Sequence, residues 1–281
     1  MKLLIAFDGS ECSENALGDL RFAGLPTSAD ATLVAVEERW LPPSAAAAQL
    51  APEDPVDTRQ MLERTARALG SAFPSWTVAT AVRTGSPSRE VLALAEELRP
   101  DLVVVGSHGL SKIERLLLGS VSHRIVADAH CSVRVARGHA AAADRPVRLV
   151  VGLDDTPGSE AAVCAVASRS WPKGSEVLIF TVFDESLYRT SFFEAEMGRI
   201  DQLQWSAETT LKDSGLACSR GTQAGEPKQL IPTRAKTFDA DCVFVGSHGR
   251  GSIARLVLGS VATAVAEHAH CSVEVIRTRH E

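Results

Sequence analysis

Gly106, Gly109, Gly119 and Ser120 follow an apolar run in the stretch VVGSHGLSKIERLLLGSV at 104–121. Gly246, Gly249, Gly259 and Ser260 repeat the spacing in FVGSHGRGSIARLVLGSV at 244–261. Both read G-x2-G-x9-G-S. Glycine after a strand-like segment lets the chain turn sharply, and lets a ligand or another backbone come close. The Gly-Ser pair precedes an apolar-periodic stretch, so Ser120 and Ser260 read as helix N-caps. A helix start offers free N–H groups and partial positive charge, which is the chemistry that holds a phosphate. The nine residues in between can fold over a ligand and return. The motif is not a P-loop, because GxxxxGK[ST] is absent. Nor is it the dinucleotide GxGxxG, which belongs after the first strand. An ordinary turn and cap would use the same residues, so spacing alone leaves both readings open.

Other chemistry-bearing residues are fewer. Asp8 and Asp154 each end a first apolar run, where a carboxylate serves as a helix cap or as a ligand contact. Asp8-Gly9-Ser10 becomes Asp154-Asp155-Thr156, so the second copy has an extra carboxylate, which would weaken phosphate binding or recruit Mg²⁺. His108 and His248 sit between the glycines and read as solvent-facing loop residues, with a catalytic or phosphate-contacting role as the alternative. Arg115 and Arg255, inside the nine-residue stretch, would reach a phosphate or lie on a solvated face. His130-Cys131 and His270-Cys271 are adjacent pairs, which make poor chelates because neighbouring strand side chains point apart. No second carboxylate at a matching spacing and no strong arginine finger suggest a hydrolytic site.

The elements that must position these groups come twice. LLIAFDGSECSENAL at 3–17 aligns with LVVGLDDTPGSEAAV at 149–163, and 101–137 aligns without a gap to 241–277 with more than half the positions identical. Between these blocks the second copy is shorter by six residues, in a helix or loop after its second strand. In each copy apolar β-type runs alternate with helical periodicity. Strands are expected at 2–7, 31–36, 77–82, 101–105 and 132–136, and near 147–153, 176–182, 217–222, 241–245 and 272–276. Helices are expected at 11–23, 56–72, 88–98 and 120–129, with 41–55 irregular. The expected class is α/β: two tandem doubly wound domains, 1–137 and 147–281, joined by the linker 138–146. Each is a five-stranded, mainly parallel sheet with helices on both faces. An order of 3-2-1-4-5 would put the crevice of the winding reversal between strands 1 and 4, where the Asp and the glycine loop meet.

The motif after strand 4, with an Asp ending strand 1, resembles the universal stress protein family, and the chain resembles a tandem member. The likeness covers nearly everything but the linker. It implies that Gly106, Gly109, Gly119, Ser120 and Val121, with Gly246, Gly249, Gly259, Ser260 and Val261, wrap the phosphates and ribose of ATP (or ADP or AMP) with Mg²⁺. It further implies that Asp8 and Asp154 lie at the nucleoside, and that Val36 and Val182 line the adenine. The resulting expectation is an ATP-binding stress-response regulator or interaction module with slow or no hydrolysis. A nucleotide-independent scaffold and a slow hydrolase are the alternatives.

SVRVA at 132–136 and SVEVI at 272–276 alternate polar and apolar, and read as edge strands with one exposed face. In the family the last strand pairs antiparallel with its counterpart, so pairing of the two halves within the chain is expected. A homodimer and protein partners stay open. The formal charge of -6 gives no case for nucleic acid. Apolar runs such as Leu102–Val105 are too short for a membrane. Six cysteines without CxxC or an export signal suggest free thiols and the cytoplasm.

Overall fold

A computed structural model describes residues 1–38, 57–109, 118–138, 145–249 and 258–278. The segment 41–55, Arg115, Arg255 and the linker residues 139–144 lie outside the described residues. The first half contains β1 (Lys2–Ala6), α1 (Glu11–Asp19), β2 (Asp30–Glu37), α2 (Thr58–Ala72), β3 (Thr77–Thr84), α3 (Pro87–Leu98), β4 (Leu102–Gly106), α4 (Ser120–Asp128) and β5 (Ser132–Ala136). The second contains β6 (Arg148–Gly152), α5 (Pro157–Ala167), β7 (Glu176–Phe183), α6 (Phe193–Asp213), β8 (Ala217–Ala224), α7 (Pro227–Thr237), β9 (Cys242–Gly246), α8 (Ser260–His268) and β10 (Ser272–Ile276).

Local chemistry explains the boundaries. Ser10 and Thr156 cap α1 and α5 by accepting from the Ser13 and Ser159 N–H groups. Pro87, Pro157 and Pro227 occupy first turns, where a missing N–H costs nothing. The unbroken apolar runs of β4 and β9 suit parallel strands covered on both faces.

Among the described residues, ten strands form one sheet in the order β3-β2-β1-β4-β5-β10-β9-β6-β7-β8. Each half therefore has the expected 3-2-1-4-5 order, and the winding reverses between β1 and β4 and between β6 and β9. Pairing is parallel within each half and antiparallel where β5 meets β10. The six-residue deficit falls between β7 and β8: the segment joining β7 to α6 is shorter than the one joining β2 to α2, while α6 has 21 residues against 15 in α2. Among the described residues no helix is long and apolar enough to cross a membrane.

One apolar core runs across both halves on one face of the sheet, joining Val133 and Val135 to Val273 and Val275 under α3, α4, α7 and α8. On the other face each half has its own core, under α1 and α2 or under α5 and α6. Between those two cores the sequence reading needs correction. The strands at 132–136 and 272–276 have no exposed polar face. They are the two central strands, and Arg134 and Glu274 are both 0% exposed. Each strand covers the other's edge, and paired charges replace water. Arg134 Nε donates to Asp19 Oδ2 at 2.6 Å, Arg134 Nη1 lies 3.2 Å from Glu274 Oε2, and Arg169 pairs with Glu274 through both Nη atoms.

The same seam carries a reciprocal pair of caps. Arg277 Nη2 donates to Val126 O (2.7 Å) and Ala127 O (3.0 Å) at the end of α4. Arg137 Nη2 donates to Ala266 O (2.5 Å), and its Nη1 to Cys271 O (3.3 Å), at the end of α8. Each half thus caps a helix of the other. Burial lowers the pKa of both guanidinium groups, though an arginine stays charged at neutral pH.

Candidate functional site

The residues singled out in the second half converge on one cavity of about 510 Å³. Asp154, beyond β6, Val182 of β7, Gly246 ending β9, Gly249, Gly259, Ser260 and Val261 all line it. They come from four separated stretches of chain, brought together by the winding reversal. The first half repeats the placement of its described residues. Asp8 lies past β1, Val36 in β2, Gly106 at the end of β4, and Ser120 and Val121 at the start of α4.

The glycines have separate tasks. None of the six takes a positive φ, so close approach rather than left-handed backbone explains them. A Cβ on Gly246 would lie 2.5 Å from Gly158 C and 2.8 Å from Ser159 N, against the first turn of α5. On Gly106 it would lie 3.0 Å from Cys12 O. Gly246 and Gly106 thus let a helix start pack onto the end of β9 and of β4. Gly246→Ala should destabilise by about 2 kcal/mol through overpacking, and Gly106→Ala by less. Urea denaturation of the two variants checks the order.

At the far end of the loop the cap differs from the sequence reading. Ser120 and Ser260 are not N-caps but the first helical residues. Gly119 and Gly259 take the cap position in extended conformation, and neither helix has a side-chain cap. The physical reason is that Gly119 N donates to Ser107 O at 2.8 Å, and Gly259 N to Ser247 O at 2.7 Å, which pins the glycine as the last loop residue. Among the described residues, the next N–H groups have no partner within the helix and no capping side chain. In the second half they open on the cavity, where an anion would satisfy them.

The two aspartates do not cap the first helix, since Ser10 and Thr156 do. Asp8 Oδ1 instead accepts from Ser10 N (3.0 Å) and Ser10 Oγ (2.6 Å), and Asp154 Oδ1 accepts from Thr156 Oγ1. Their second oxygens turn toward the glycine loop: a Cβ on Gly109 would lie 2.9 Å from Asp8 Oδ2, and one on Gly249 3.6 Å from Asp154 Oδ2. The extra carboxylate, Asp155, is matched by Arg199, which also holds Glu196 on the cavity wall.

The two histidines are not solvent-facing. Both are half-buried, held through Nδ1 to the preceding serine, at 3.1 Å for His108 and 2.8 Å for His248. Nε2 of each is buried and has no hydrogen-bond partner among the described residues, and His248 borders the cavity. An orphaned buried nitrogen costs energy unless something fills the space beside it.

Sequence reasoning missed the aromatic wall. Phe180 and Phe183 line the cavity, and Phe183 packs on Tyr188 and Phe193 with ring centroids 5.4 and 6.2 Å apart. Tyr188 and the neighbouring Phe192 are 60% and 71% exposed. In a chain with 5% aromatic residues, FDESLYRTSFF at 183–193 was the visible signal.

Comparison with known proteins gives a consistent picture. The model of the universal stress protein family matches twice, over residues 1–137 and 147–277. A universal stress protein of Mycolicibacterium smegmatis is 29% identical over 209 residues, 72% of this chain and 70% of the relative. One from Mycobacterium tuberculosis is 31% identical over 187 residues, 63% of this chain and 62% of the relative. Among solved structures, a universal stress protein from Archaeoglobus fulgidus superposes with a TM-score of 0.69 at 21% identity, covering 98% of both chains. A Pseudomonas aeruginosa structure gives 0.67 at 14% identity, covering 98% of this chain and 92% of that one.

Proposed function

This chain belongs to the universal stress protein family, and we propose that it binds adenine nucleotide as a regulator or interaction module with slow or no hydrolysis. One observation carries the reading: an uncapped helix start, an aspartate and an apolar strand end share one cavity of nucleotide size. Phosphates sit against the first N–H groups of α8, between Gly249 and Gly259. The ribose hydroxyls face Asp154, and the base enters between Val182 and the aromatic wall. The first half binds in the same manner through Asp8, Val36, Gly106, Gly109, Gly119, Ser120 and Val121. Mg²⁺ arrives as the counter-ion of the phosphates. Among the described residues no group of three or more His, Cys, Asp or Glu is clustered to hold one, and Mg²⁺ is commonly held by one or two carboxylates with substrate phosphates. Tyr188 and Phe192, exposed beside the cavity, support the interaction role.

Freshly purified protein should release ATP, ADP or AMP on heat denaturation, identified by chromatography and mass, at up to two per chain. Protein that releases none and does not take up Mg-ATP on incubation would count against the reading.

A further inference from the structure

The seam between the halves is almost symmetric. Val133 pairs with Val275 and Val135 with Val273. Ser272 Oγ accepts from Arg137 N, and Ser132 Oγ from Arg277 N. Arg137 and Arg277 exchange helix caps, as described above. Every one of these contacts would survive if two first halves, or two second halves, were paired instead. A symmetric seam of this kind cannot choose its partner.

The exception lies on the pseudo-twofold axis. Arg134 and Glu274 occupy equivalent positions of the repeat and face each other directly. Side chains at that point meet their own counterpart in any pairing of like halves. Two first halves would bring Arg134 against Arg134, and two second halves Glu274 against Glu274. Both groups are fully buried; each keeps a counter-ion from its own half, Asp19 for Arg134 and Arg169 for Glu274, but like charges meeting on the axis are little screened and still repel. Only unlike halves give the 3.2 Å contact between Arg134 Nη1 and Glu274 Oε2. Three further cross-seam bonds bear on the choice: the first is lost in either like pairing, the second only when two second halves pair and the third only when two first halves pair. Arg134 Nη1 reaches Cys242 Sγ at 3.3 Å, whereas the first half has Leu102 at that place. Ser272 Oγ donates to Asp19 Oδ1 at 2.7 Å, whereas the second half has Ala165. Arg169 Nη1 donates to Ala23 O at 2.9 Å.

We infer that the Arg134–Glu274 pair is a partner key: the seam of a first half accepts a second half and rejects another first half. The surface is thus specific for the complementary half of this chain, or of a second copy. The nine-residue linker 138–146, up to about 30 Å when extended, then sets whether the two come from one chain.

Complementation of full-length chains tests this. Glu274→Arg faces guanidinium with guanidinium across the axis, and Arg134→Glu faces carboxylate with carboxylate. Each chain by itself should lose about 10 °C in thermal midpoint and show an opened, larger hydrodynamic size. Mixed, the first half of the Glu274→Arg chain and the second half of the Arg134→Glu chain carry all four native charges. Native mass spectrometry should then show a 1:1 complex, with a second transition restored toward the parent midpoint. The inference is overturned if either variant keeps the parent's size and midpoint, or if a variant pairs with itself as readily as with the other. Should a variant be insoluble by itself, co-expression asks the same question. Soluble 1:1 complex is expected, and no recovery from co-expression also overturns the inference.

Discussion

Gly249→Leu should abolish nucleotide binding in the second half, by at least about 100-fold (about 3 kcal/mol), with the fold intact. A Cβ at Gly249 would lie 3.6 Å from Asp154 Oδ2, an ordinary contact, so alanine fits. The branched end of leucine does not, because it must enter the space between Asp154 and the uncapped start of α8. That is where the proposed phosphates and ribose lie, and a ligand cannot share it. The first half is tighter. A Cβ at Gly109 would already meet Asp8 Oδ2 at 2.9 Å. Gly109→Ala should therefore weaken its own site more than Gly249→Ala weakens the other. Calorimetric titration of the three variants, with thermal melts as a control for folding, reads the order. Equal tolerance of leucine and alanine at Gly249 would show that the phosphates sit elsewhere.

Arg277→Ala should cost on the order of 3 kcal/mol, and Arg137→Ala a similar amount. Each guanidinium satisfies carbonyls at the C-terminal end of a helix of the other half, where a positive charge also meets the negative end of the helix dipole. Truncation removes the donors to Val126 O and Ala127 O, or to Ala266 O, in a part-buried seam. Lysine should rescue only partly, because one ammonium cannot span carbonyls that two Nη atoms reach separately. In urea denaturation both alanine variants should lower the midpoint. A loss below about 1 kcal/mol would mean that water replaces the guanidinium at little cost.

Much of the fold was legible because the sequence states it twice. The apolar runs at Leu3–Ile5, Leu102–Val105 and Leu149–Val151 are strands buried on both faces, and helical periodicity between them leaves few topologies. What misled was polar alternation. Arg134 and Glu274 look like solvent-facing residues, since a local pattern cannot reveal that a partner 140 residues away supplies the opposite charge. Ser120 failed in a subtler way. Ser is a good cap by preference, but the bond from Gly119 N to Ser107 O fixes the register one residue earlier, and that bond is tertiary. At the cavity, the glycine spacing identified the loop and Asp154 the facing wall. Phe180, Phe183, Glu196 and Arg199 were not legible, because which residues of β7 and α6 reach the cavity wall is decided by tertiary packing.

Adenine-nucleotide binding in the second-half cavity is the central proposal. Isothermal titration of Mg-ATP into nucleotide-free protein tests it directly. Saturable binding of at least one nucleotide per chain is predicted, lost from the second half in the Gly249→Leu variant. The absence of binding of ATP, ADP or AMP at millimolar concentration, by protein that melts cooperatively, would contradict it.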